Sequence, residues 1–188
     1  TTTTLTVNKT ADTDDGVCDA ADCSLREAIA SVNSGDAITF DPKLNGQTIT
    51  LNKGVIVLPP HKSLTIQGPG ADQLTISGGG AQRIFQTDWD PKVTVILDGL
   101  TLREGFAPAG GAIYHGDSTL LIRNSLLTHN TATGDGGGAI WSYGTLTISD
   151  STLSNNRSPN NNGGSIADYN RLTLSRSTVS GNTTGCNG

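Results

Sequence analysis

The sequence predicts an all-β fold, a parallel β-helix or solenoid carrying one N-terminal capping α-helix. Three observations predict it. From Thr119 to Asn182 the chain repeats every 26 residues. Apolar content is only 34% and aromatic content 4%, too lean for a globule but enough for a stack that fills a narrow interior with a few aliphatic side chains per turn. Short strand patterns between turns fill the rest, with one convincing helix.

Written in register, Thr119–Asn130 lies over Thr145–Asn156, and that line over Arg171–Asn182. Leu120, Leu146 and Leu172 make one column; Ile122, Ile148 and Leu174 a second; Leu127, Leu153 and Val179 a third. A fourth column is polar: Asn130, Asn156 and Asn182, read as a ladder of amides hydrogen-bonded along the stack. Between the lines lie Gly110-Gly111-Ala112-Ile113, Gly137-Gly138-Ala139-Ile140 and Gly163-Gly164-Ser165-Ile166. A fixed period of this length is the signature of stacked repeats. If Leu146 and Ile148 face inward, Thr147 faces out.

The chain reads as one domain, residues 1–188. Residues 1–35 hold a strand, an acidic cysteine loop and the capping helix, 36–118 early irregular rungs, and 119–188 the regular rungs. Leu5 and Val7 alternate with threonine, as in a strand. Ser24 and Glu27 form the residue pair of a capping box, and Leu25, Ala28, Ile29 and Val32 follow as an apolar stripe. A helix of this kind covers the open edge of the first rung. Strands are expected at 37–40, 47–51, 55–58, 63–66, 73–76, 83–85 and 93–97, and residues 86–91 as a bulging loop. About six or seven rungs at 4.8 Å give a rod roughly 30 Å long.

A net charge of −5 argues against nucleic-acid binding and a basic membrane footprint, and no apolar run is long enough to span a bilayer. Cys18 and Cys23, five residues apart, are expected to form a disulfide, which places the chain in an oxidising compartment. No cofactor is expected, with one alternative: Asp12, Asp14, Asp15, Asp19 and Asp22 crowd one loop and offer oxygen ligands to calcium, although the twelve-residue calcium-loop pattern is missing.

The run Cys23-Ser24-Leu25-Arg26-Glu27-Ala28-Ile29, after an Asp-Gly-x-Cys loop, resembles the CSLREA-type N-terminal region of bacterial surface and secreted proteins. The Gly-Gly-Ala-Ile and Asn lines resemble the repeats of polymorphic outer membrane proteins, which form right-handed parallel β-helices. The two resemblances together cover most of the chain. They imply a right-handed β-helix, a secreted or cell-surface location, and a structural or adhesive role with no defined reaction.

Catalysis is not expected. Asp88, Asp90, Asp98, His115, Asp117, Asp135, Asp150 and Asp168 are the candidates, and none shares a column with both a second carboxylate and a basic group; His61 and His129 have no partner in sequence. Asp98 and Asp150 align with Asn124 and Arg176 as turn residues. The rival reading is a β-helix that binds or degrades polysaccharide, as pectate lyases do. Tyr114, Trp141, Tyr143 and Tyr169 follow the Gly-Gly turns and cluster on one side, as a sugar platform or an interface. No second capping helix follows Asn182. Head-to-tail self-association is therefore expected, with Thr1, Thr2, Thr3, Thr4, Leu5 and Val7 adding a strand to a neighbour and Cys186 available for a crosslink. Another cell-surface protein or a glycan is the alternative partner.

Overall fold

The computed structural model describes residues 2–185; Thr1 and Cys186 lie outside the described residues. The chain is a right-handed parallel β-helix with one α-helix among the described residues. Every sheet is parallel, and strands from successive turns stack into four faces of seven, six, five and four strands. The first face runs from β1 (Thr4–Val7) and β2 (Asp36–Phe40) through Leu64–Gln67, Thr94–Asp98, Thr119–Arg123 and Thr145–Ser149 to Arg171–Ser175.

The columns predicted from the period are the observed register. Leu120 pairs with Leu146 and Leu146 with Leu172, while Ile122, Ile148 and Leu174 follow in step. Thr119–Arg123 and Thr145–Ser149 alternate between buried and half-exposed residues, with Leu120, Ile122, Leu146 and Ile148 inside. In the last rung Leu172, Leu174 and Val179 are exposed, whereas their counterparts one rung earlier are buried.

The helix, α1, spans Leu25–Ser31. Ser24 Oγ accepts from the Glu27 amide (3.1 Å) and Glu27 returns the bond to the Ser24 amide (2.8 Å). Leu25, Ala28, Ile29 and Val32 join the core that runs on into the rungs, so α1 seals the N-terminal end. Burial opposes the charge of Glu27, yet hydrogen bonds from the Ser24 and Asp15 amides and from nearby hydroxyls hold its pKa down to about 2.

Thr4–Val7 pairs with Ala37–Phe40 of the same chain along one edge and is the terminal strand of its sheet, so its other edge carries no strand among the described residues. One expectation is corrected at this end. The five loop aspartates do not gather round one point. Asp12 is buried and spent on Arg26 (2.8 and 3.0 Å) and on the amides of Asn52 and Lys53. Asp15 accepts from the Val17 amide, Asp19 from those of Ala21 and Asp22, and Asp22 pairs with Lys9. Cys18 and Cys23 form a disulfide.

A second correction concerns one turn residue. Thr94–Asp98 meets Thr119–Arg123 at an offset of 25 residues, so Asp98 lies beside Arg123 and not beside Asn124. Gly99 then shares the turn position with Asn124, Asp150 and Arg176, and all four have positive φ, from 46° to 64°. A second such column is Glu104, His129, Asn155 and Gly181, at 55° to 64°. Each left-handed non-glycine residue costs about 1–2 kcal/mol, and the rungs impose it at the same corner each time.

Candidate aromatic face

The third face comprises Ile56–Val57, Phe85–Gln86, Ile113–His115, Ile140–Ser142 and Ile166–Asp168. Ile113, Ile140 and Ile166 share one register position, and the next position holds Tyr114, Trp141 and Ala167. Because rungs are spaced like strands in a sheet, rings one turn apart must touch. Tyr114 and Trp141 stack at 4.4 Å and 11°. Arg83 lies 4.9 Å over the Tyr114 ring while donating to the carbonyls of Ala109 and Gly110, a cation–π contact that fixes the inner end of the column.

A second column stands beside it. Tyr143 and Tyr169 stack at 5.3 Å and 20°. The position before them in register is Gly116, and there the loop after Phe85–Gln86 delivers Trp89. Its ring lies 5.6 Å from that of Tyr143 and 6.2 Å from that of Tyr114. A Cβ on Gly116 would collide with the Asp88 carbonyl and sit 3.2 Å from the Trp89 ring. Trp141 touches Tyr143 and Tyr169 as well, at 5.0 and 5.3 Å. The four aromatic residues expected on one side are therefore together, and Trp89 and Arg83 complete the group. Trp89, Tyr143 and Tyr169 are 49%, 44% and 56% exposed, while Trp141 is buried. The indole N–H of Trp141 is buried without a hydrogen-bond partner, a group that costs about 1–3 kcal/mol to leave unmade.

The candidate catalytic residues take structural places. Asp98 pairs with Arg123 (2.9 Å) and Asn124 (2.8 Å), and Asp150 with Arg176. His129 holds a left-handed corner. His115, Ser142 and Asp168 share one register position. His115 Nε2 must donate to the Ser118 carbonyl (3.1 Å), so Nδ1 accepts from Ser142 Oγ (2.9 Å). Serine lies between histidine and aspartate, and His115 and Ser142 are both fully buried, so no substrate reaches them. Burial pushes the His115 pKa down to about 4, against the backbone hydrogen bond and the Asp168 charge. Asp117 and Asp135 join no cluster among the described residues.

The amide column closes as a ladder. Asn156 Oδ1 accepts from the Asn130 amide and side chain, and Asn182 Oδ1 accepts likewise from Asn156, all at 2.9–3.0 Å. Asn130 Oδ1 receives the Gly105 amide (2.8 Å).

Among the described residues one group can hold a metal ion: His61, Asp88 and Asp90, at the root of the Trp89 loop. No helix of the described residues is long and apolar enough to cross a membrane. Compared with known proteins, the chain matches no family model, no curated protein and no solved structure.

Proposed function

We propose that this chain is a secreted or cell-surface bacterial adhesive module that works by contact, not catalysis. Its contact surface is the aromatic face, and its ligand is a glycan surface. The observation that carries this reading is the row Trp89, Tyr143 and Tyr169, about half exposed across consecutive rungs of a rigid stack. Such rings join apolar bodies to polar tips, which suits ligands that alternate C–H faces with hydroxyls. A buried, unpartnered Trp141 N–H lies in the same group. The disulfide supports an oxidising compartment, and the resemblance to surface-protein repeats points the same way.

Hydrolytic cleavage, one form of the rival, needs one carboxyl group kept protonated beside another that is ionised. Asp88 and Asp90 converge on His61, and Asp90 is held below its ordinary pKa by His61 and by the Lys92 amide; Asp22 and Glu27 converge on Lys9, and Glu27 is held down to about 2, in both cases the wrong direction for a general acid. Glycan-array binding, run beside depolymerisation assays on acidic and neutral polysaccharides, separates the readings. Retention without release of new chain ends, reduced by Trp141→Ala, is the expected result; chain cleavage would establish the rival.

A further inference from the structure

His61 and the pair Asp88/Asp90 come from two different loops. His61 sits in the turn after Ile56–Val57, following Pro59 and Pro60, and the two aspartates flank Trp89 in the next rung. The imidazole Nδ1 is 2.8 Å from Asp90 Oδ2 and 3.8 Å from Asp88 Oδ2. One ligand atom from each of the three residues lies within 4.8 Å of the other two. Zinc binds histidine nitrogen and carboxylate oxygen at about 2.0–2.2 Å, so neighbouring ligand atoms in a tetrahedral site stand roughly 3.3 Å apart. The two distances bracket that value.

We propose that His61, Asp88 and Asp90 form a three-ligand site for a zinc-class divalent cation, and that the ion clamps the loop that carries Trp89. One imidazole with two carboxylates selects a borderline first-row ion; calcium prefers oxygen alone and more ligands. The carboxylates are already aimed. Asp88 accepts from the amides of His61 (2.7 Å) and Trp89 (2.7 Å), and Asp90 accepts from the Lys92 amide (2.9 Å), the kind of outer hydrogen bonds that orient ligands. In the bound form the Nδ1 lone pair faces the ion in place of a proton, and Nε2 carries the ring's N–H. The His61 side chain is 77% exposed and those of Asp88 and Asp90 are 18% and 21% exposed. The ion therefore enters from solvent, and water completes its shell. Trp89 packs against Tyr114 and Tyr143, so occupancy of the site fixes the first ring of the exposed column.

Isothermal titration of the full chain with zinc chloride tests this, with tryptophan emission recorded in parallel. The wild type is expected to bind one ion and to shift its emission. His61→Gly, which suits the positive φ at this position (58°), and Asp90→Asn should each weaken binding by about tenfold or more. His129→Gly, at an exposed histidine on another corner, should bind as the wild type does. Circular dichroism establishes that each variant is folded. Absence of one-to-one binding in the wild type overturns the proposal, as does wild-type affinity in both His61→Gly and Asp90→Asn.

Discussion

Trp89 and Gly116 fill one position of the outer aromatic column between them. Gly116 lies in register with Tyr143 but has no side chain, and Trp89, from the preceding loop, lays its ring beside it. The column is thus continued across a rung whose own residue is bare. Gly116→Ala is expected to push the Asp88 carbonyl and the Trp89 ring away. The cost should be about 1–3 kcal/mol, with loss of near-ultraviolet dichroism from the coupled rings. Urea unfolding and near-ultraviolet spectra check this; an unchanged spectrum would remove Trp89 from the column.

The amide ladder predicts a steep cost for a single change. Asn156→Ala leaves the Asn130 amide buried and without its acceptor, and removes the bonds to the Leu127 carbonyl (3.0 Å) and to Asn182. A loss of about 2–4 kcal/mol is expected, measured by equilibrium unfolding. Asn182→Ala, in the more exposed last rung, should cost less.

Acid should act in two windows. His115 takes a proton at about 6.5 when unfolded but only at about 4 when folded, so the unfolded state binds more protons between these values. Stability therefore falls as pH drops from about 6.5 to 4, by up to about 3 kcal/mol. Glu27 is ionised when folded down to about pH 2, against 4.5 ordinarily, so its contribution is lost at lower pH, between about 4.5 and 2. His115→Gln is expected to flatten the first window and leave the second; melting temperatures measured across the range decide this.

The left-handed corners offer a fourth test. His129 has φ 55°, and glycine adopts that geometry without strain. His129→Gly should be neutral or stabilising by up to about 1 kcal/mol, and His129→Val destabilising by about 1–2 kcal/mol. Thermal denaturation of the pair separates a conformational corner from a functional histidine.

Much of the stack was legible because its rules are local and repeat. Leu146 over Leu120 needs only the period and the alternation of a strand. The capping box needs only Ser24 and Glu27. Where the period breaks, inference from it breaks too. The offset of 25 between Thr94–Asp98 and the next strand moved Gly99, not Asp98, onto the turn column. Trp89 stayed hidden because a loop outside the repeat carries it to Tyr143, and its only sequence signal was an insertion next to a bare Gly116. His61 meets Asp88 and Asp90 across irregular turns, so no column pairs them. Composition misled at the acidic loop: Asp12, Asp15, Asp19 and Asp22 each serve an amide or a cation, and charge density alone does not make ligands converge.

The central claim is that the exposed aromatic row is the adhesive surface. Glycan-array binding by the wild type and by the triple variant Trp89→Ala/Tyr143→Ala/Tyr169→Ala, both shown to be folded, tests it most directly. The account predicts wild-type retention on a subset of glycans and its loss in the triple variant. A wild type that binds no glycan, or a triple variant that binds as the wild type does, would contradict it.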